Sequence, residues 1–157
     1  MKAIFAVDDK GGLGKDGHMP WPKISADLKR FKDLTENGIV VMGRRTWEST
    51  DMPTPLPKRR NVVISSRDNL DLPNDVIHMY NTSLLHATPT AWIIGGAGLI
   101  NSVFDDLDYI FLTRVPGDYN CDTHIDLDKI YQNFKILHEE KFDDHTFQVL
   151  NKKLHVE

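Results

Sequence analysis

"IVVMGRRTWES" (residues 39–49) and "TAWIIGGAGLINSVF" (residues 90–104) share one pattern. In each, an apolar run rich in β-branched residues breaks into glycine, and a helix-forming stretch follows at once. Such runs suit strands buried on both faces, as in a parallel sheet whose crossovers are helical. Working outward, "KAIFAV" reads as a first buried strand, and "NVVIS", "VIHMY" and "YIFLTRV" as further strands. "TSLLHA" reads as a short helix, and "FKILHEEKF" and "TFQVLNKKL" as a terminal antiparallel hairpin around "DDH". Alternating strands and helices predict a single α/β domain over residues 1–157, with a mostly parallel central sheet covered by helices on both faces. Neither a repeat nor a domain linker interrupts it.

The two glycine junctions also suggest chemistry. Glycine lets a ligand approach the backbone, and a following helix points its first N–H groups outward, which suits an anion such as phosphate. Arg44 and Arg45 add permanent charge at the first junction. Tight turns and a solvated arginine surface would explain either junction equally well. Two of them in one sheet favour a dinucleotide with several phosphates, lying at the carboxyl ends of the strands. Neither matches GxGxxG, so the usual dinucleotide fingerprint is absent. "ISSR" (residues 64–67) ends another strand with two hydroxyls and a guanidinium; a solvated turn is the default reading there.

"DDKGGLGKDGHMPWP" (residues 8–22) is a glycine-rich loop of the length often seen in lids. The helix after it is expected over Ala26 to Asn37, with Ser25 as N-cap and Gly38 as the stop. Ile24, Leu28, Phe31 and Leu34 mark its buried face, while Lys29, Arg30, Lys32 and Glu36 read as solvated. Asp27 lies at the edge of the apolar face. It could serve the positive end of the helix dipole, or it could be a carboxylate at the floor of a pocket.

Composition narrows the function classes. Hydrophobic residues make up 40% and charged residues 27% of the chain, and the formal charge is −4 with no long basic run. That balance speaks against a general nucleic-acid role. Cys121 is the single cysteine, which excludes an internal disulfide and fits a reducing compartment. The start of the chain is too short on apolar residues for a signal peptide, and no run could span a membrane, so a cytoplasmic protein is expected. Metal-site motifs are missing, and His18, His78, His86, His124, His138, His145 and His155 are scattered. They read as surface or hydrogen-bonded structural residues. Without a Ser-His-Asp signature, the chemistry falls to a bound cofactor.

The order and spacing of "GLGKDGHMPW", "ADLKRFK", "VVMGRRTWES", "LPKRRNVVISSR", "IIGGAGLI", "FLTRV" and "CDTHID" resemble the dihydrofolate reductase family over nearly the whole chain. The resemblance implies NADPH-dependent reduction of 7,8-dihydrofolate to tetrahydrofolate by a monomer. It makes Asp27 the carboxylate that hydrogen-bonds the pterin, the only ionisable side chain of that pocket, with Thr113 as its partner and Trp21 anchoring a water beside the ring. Ile4 and Ile94 would border the pterin and nicotinamide, and Ala6 would contact the carboxamide. Leu28, Phe31, Thr50 and Leu56 would line the aminobenzoyl channel with Ser49 at its edge, and Arg59 would pair with the glutamate α-carboxylate.

On the cofactor side, the resemblance implies Leu13, Gly14 and Met19 of the flap, then Gly43, Arg44, Arg45 and Thr46 around the phosphates. Ser65, Ser66 and Arg67 would meet the 2′-phosphate. Gly95, Gly96, Ala97, Gly98 and Leu99 would meet the pyrophosphate, with a cis Gly95–Gly96 peptide. Four features depart from the family pattern. Pro22-Lys23 reads as an extra residue before the helix, Ile100 stands where an aromatic is frequent, Gly98 replaces a basic residue of some members, and Asp126 replaces a usual proline. The alternatives are another pterin or pyrimidine reductase of the same fold, or a catalytically silent binding or structural protein.

Overall fold

The computed structural model describes residues 1–51 and 53–154; Met52 of the proline-rich loop and His155 lie outside the described residues. The strands are β1 (Lys2–Val7), β2 (Gly12–Gly14), β3 (Ile39–Gly43), β4 (Arg60–Ile64), β5 (Ile77–Met79), β6 (Trp92–Gly95), β7 (Tyr109–Arg114), β8 (Thr123–His124), β9 (Phe134–Lys141) and β10 (Thr146–Lys152). The helices are α1 (Ser25–Thr35), α2 (Arg44–Glu48), α3 (Ala97–Ser102) and α4 (Leu127–Asn133). Eight strands form one sheet in the order β5-β4-β3-β6-β1-β7-β10-β9. The pairings from β5 to β7 are parallel, and β10 and β9 add antiparallel to that edge. This is the mixed α/β sheet with a terminal hairpin that the strand pattern predicts.

Alternation along the strands divides the core. Ala3, Phe5 and Val7 of β1, Val41, Ile93 and Ile110 pack on one face with Ile100, Phe104, Ile130 and Phe134. Ile4, Val40, Met42, Val63 and Ile94 face the other way, where Phe31 and Leu34 of α1 and the buried Leu56 cover them. Ile100 is fully buried in the first cluster, so an aliphatic side chain at this position fills the main core.

Several local expectations change. Ser25 is the first residue of α1 rather than its cap; Ile24 takes the cap position and no side chain closes the end. The helix stops at Thr35, two residues early, because Asn37 adopts a left-handed φ of 66° and donates its N–H to Lys58 instead. The long loop after β1 contains β2, which pairs with β8 from "CDTHID". The helix expected over "AGLINSVF" ends at Ser102 and gives way to a 3₁₀ turn, Phe104–Asp106, and "TSLLHA" keeps only a 3₁₀ turn, Leu85–Ala87. Sequence reading missed α4. Its signal was present: Leu127, Ile130, Tyr131 and Phe134 fall at helical spacing, and Asp126 is the N-cap, accepting from the Lys129 N–H at 3.2 Å.

Candidate active site

Because β1, β3, β4, β6 and β7 run parallel, their carboxyl ends share one edge of the sheet. Met42 lies opposite Gly95, Gly43 opposite Ile64, and Ala6 opposite Thr113. That edge collects most of the expected site residues.

On one side stands Asp27, in the first turn of α1. Its Oδ1 accepts from Thr113 Oγ1 at 2.5 Å and from Arg30 Nη1 at 3.0 Å. Its Oδ2 receives no hydrogen bond from any described residue and is not sealed off from solvent. One oxygen is therefore tied to the protein and the other is available to a ligand. The expectation that Asp27 is the pocket's only ionisable side chain is wrong, and so is the solvated reading of Arg30. The Arg30 side chain is 18% exposed and Asp27's is 22%. Position 30 escapes notice in the sequence because its other partner, His145, lies 115 residues away.

Trp21 is buried beside Ile24, Val115 and Cys121, edge-on to Tyr119 at 5.9 Å between ring centres, with Ala6 packed against the group. Ile4 and Ile94 are buried nearby on the α1 face of the sheet, and Leu28 and Phe31 are half-buried along α1. Arg59 sits over the Phe31 ring at 5.9 Å and donates to Thr35 Oγ1 and the Pro57 carbonyl. Burial lowers its pKa, an effect that Glu36 partly opposes, and no described carboxylate pairs with it. A half-buried guanidinium without a carboxylate is well suited to an anionic ligand.

The glycine-rich loop after β1 is tied to the segment that follows α2. Met19 N–H donates to Asp51 Oδ2 at 2.6 Å, His18 Nδ1 meets Asp51 Oδ1 at 2.9 Å, and Ser49 Oγ donates to the Gly17 carbonyl at 3.0 Å. Ser49 is thus engaged with the flap, and Thr50 is exposed. At the flap's base β2 carries Leu13 and Gly14, and Asp122 Oδ2 receives the Asp16 N–H.

The nucleotide side is built on glycine. Gly95 and Gly96 join through a cis peptide, and Gly95 has φ 141°, outside the range of ordinary L residues. A Cβ on Gly95 would sit a tight 3.3 Å from Thr46 Oγ1, while one on Gly43 would meet the Gly95 carbonyl oxygen and the Gly96 nitrogen at an ordinary 3.9 Å. The N-terminal ends of α2 and α3 carry no side-chain cap, which leaves N–H donors for phosphate oxygens. Arg45, Ser66 and Arg67 are exposed at the same edge, with Ser65 half-buried. Arg44 is spoken for in part, because Nη1 pairs with Glu48 at 2.8 Å. Gly98 is exposed, and nothing lies within 4 Å of the place its Cβ would take. This donor set and glycine cradle fit a dinucleotide with phosphates.

A half-buried carboxylate among apolar side chains beside a glycine-rich junction, both at the carboxyl edge of a parallel sheet, is the arrangement of a nucleotide-dependent α/β enzyme. The family model described as dihydrofolate reductase matches residues 1–155. The chain is 33% identical over 165 residues to a type 8 dihydrofolate reductase of Escherichia coli, covering 98% of this chain and 96% of that one. It is 30% identical over 142 residues to the dihydrofolate reductase of Bacillus subtilis, covering 88% and 82%. The solved structure of an Enterococcus faecalis dihydrofolate reductase, complexed with NADP(H) and RAB-propyl, superposes with TM-score 0.83 at 24% identity, covering 96% and 95%. The chain belongs to the dihydrofolate reductase family. Its reaction is the NADPH-dependent reduction of dihydrofolate to tetrahydrofolate. Among the described residues, no helix is long and apolar enough to cross a membrane.

Proposed function

We propose that Asp27, Thr113 and Trp21 form the catalytic group of this reductase, acting as a single domain and a monomer in the cytoplasm. The observation that carries the reading is the 2.5 Å Thr113–Asp27 hydrogen bond, which leaves Asp27 Oδ2 open. When bound, NADPH supplies the hydride that passes from nicotinamide C4 to pterin C6. The chain's own residues do the rest. Asp27 holds the pterin amide and amino groups through charge-assisted hydrogen bonds, and Thr113 keeps that carboxylate in one orientation. Trp21, buried beside Ile24 and Val115, holds a water near the pterin so that the N5 proton comes from solvent. Ile4, Ala6 and Ile94 border the contact between the two rings and exclude bulk water.

Farther out, Leu28, Phe31, Thr50 and Leu56 line the channel for the aminobenzoyl group, Ser49 stands at its edge, and Arg59 takes the glutamate carboxylate. Leu13, Gly14, Met19, Gly43, Arg44, Arg45, Thr46, Ser65, Ser66, Arg67, Gly95, Gly96, Ala97, Gly98 and Leu99 hold the cofactor; the bound NADP(H) of the Enterococcus faecalis relative supports that side of the reading. Following NADPH oxidation by absorbance with dihydrofolate, for the wild type and Asp27→Asn, tests the assignment. Full activity of the Asn variant at neutral pH would overturn it.

A further inference from the structure

We propose that Arg30 is a positioning residue for the pocket carboxylate, a cation that the C-terminal hairpin seats against Asp27 and that sets the pH range of reduction. The proposal rests on Asp27 acting as described above.

An exposed ion pair three residues apart on a helix contributes little and is screened by salt. This pair is built differently. The Arg30 guanidinium lies 4.2 Å from the ring centre of Phe147 on β10 and 5.3 Å from that of Phe142. Its Nη2 is 3.3 Å from Nε2 of His145, whose side chain is 1% exposed. His145 in turn stacks on Phe142 at 4.6 Å and 8° and meets Asp144 through Nδ1 at 2.7 Å. Assigned from these partners, Nδ1–H donates to Asp144 while Nε2 accepts from Arg30. Two phenyl rings and an imidazole thus surround the guanidinium, and its Nη1 is hydrogen-bonded to Asp27.

The charged groups around Arg30 come from three elements: Asp27 on α1, His145 and Asp144 beside β10, and Glu140 on β9, which lies within the field of Arg30. Lys29 and Asp33 pair with each other at 2.6 Å, and Thr113 from β7 is uncharged. Among the described residues, Arg30 is the only cation hydrogen-bonded to Asp27.

Two effects follow from this seat. Arg30 and Thr113 both engage Oδ1, which fixes the carboxylate and leaves Oδ2 without a hydrogen bond from any described residue. A cation beside the pterin site also lowers the proton affinity of a ring nitrogen of bound substrate. Its removal must therefore move the pH–rate profile toward higher pH.

The test is the pH profile of kcat and kcat/KM for dihydrofolate at saturating NADPH, together with melting temperatures. Arg30→Gln removes the charge. Arg30→Met does so while keeping a stem to pack between Phe142 and Phe147, and serves if the Gln variant does not fold. Arg30→Lys keeps the charge and loses the fork. With Gln or Met the midpoint should rise by about one pH unit or more, while with Lys it should stay near the wild-type value and only KM should change. Folded Gln and Met variants with an unmoved midpoint, an equal shift in the Lys variant, or failure of both neutral variants to fold would each overturn the proposal. Asp27→Asn separates the two levels. If that variant is fully active, the role of Asp27 falls and Arg30's with it; if it is inactive while the Arg30 profiles do not move, Arg30 alone is refuted.

Discussion

Thr113 Oγ1 donates to Asp27 Oδ1 at 2.5 Å, joining the end of β7 to the first turn of α1 across 86 residues of sequence. The bond uses the hydroxyl's one proton, so Thr113 can orient the carboxylate but cannot pass a proton to substrate without giving that bond up. In Asp27→Asn the charge is gone and the shape is kept. We expect the variant to fold and to lose most reduction at neutral pH, recovering partly in acid, where substrate arrives already protonated. Thr113→Val should be milder, since one hydrogen bond to a charged group is worth about 1.5–3 kcal/mol, or roughly tenfold to 150-fold in kcat/KM. A stopped-flow pH series on both variants checks the order; a Val variant worse than the Asn variant would reverse the two roles.

The fold was legible because its strands are short apolar runs ended by glycine or by polar turns, a local signal that needs no partner to be read. Asp27, Thr113 and the Gly95–Gly96 pair were legible through the family resemblance that their surrounding segments carry. The lost pieces depend on distant contacts. The three residues of β2 become a strand only through β8, more than a hundred positions on. Arg30 sits among lysines on a helix and looks solvated until Phe142, His145 and Phe147 are folded onto it. The end of α1 turned on a competition at Asn37 between continuing the helix and bonding Lys58, which propensity does not decide.

Among the described residues, Arg59 hydrogen-bonds only Thr35 and Pro57 and stands half-buried without a carboxylate partner. If it takes the glutamate tail, Arg59→Ala should raise the dihydrofolate KM about tenfold or more, the value of a charge-assisted contact. Reduction of a tailless dihydropterin should hardly change. Steady-state kinetics on both substrates checks this, and equal losses would make Arg59 a structural residue.

Asp8, at the end of β1, ties the flap base to the loop before β8. Its carboxylate accepts from the N–H groups of Lys10, Gly12 and Tyr119 and from the Cys121 thiol. Burial alone would raise its pKa, but these donors outweigh that and hold it below the usual carboxylate value. A depressed folded-state pKa gives stability that is complete above the unfolded value, near 3.8, and is lost as pH falls through the folded one. Asp8→Asn should therefore lower the melting temperature at neutral pH, at a cost of about 1–3 kcal/mol for unmatched buried groups, and the difference from wild type should shrink in strong acid. Burial and the neighbouring Asp8 push the Cys121 thiol up to about 11, so native alkylation at neutral pH should be slow and should quicken in Asp8→Asn. A wild-type–mutant gap that widened on acidification would contradict this account.

In the proposed binding mode, the choice between NADPH and NADH turns on three positions at one edge of the sheet. Gly98 offers no cation to a 2′-phosphate, and Arg44 shares its charge with Glu48 at 2.8 Å. Arg67 is exposed at the end of β4, with no ion pair among the described residues, and Ser65 and Ser66 add hydroxyls. One guanidinium on the 2′-phosphate should contribute about 1.5–3 kcal/mol, roughly tenfold to 150-fold in affinity. The wild type should therefore prefer NADPH clearly, and less so at higher salt because the site is open to solvent. Arg67→Ala should erase more of that preference than Arg44→Ala. Glu48→Gln should strengthen it by freeing Arg44. Since nothing lies within 4 Å of the position a Gly98 Cβ would take, Gly98→Lys should fold normally and raise the NADPH preference further. The ratio of kcat/KM for the two cofactors, measured for these variants at low and moderate ionic strength, decides the matter. Equal use of NADH by the wild type would show that losing a cation at position 98 outweighs both arginines, and a preference surviving Arg44→Ala and Arg67→Ala together would move the 2′-phosphate to another part of the edge.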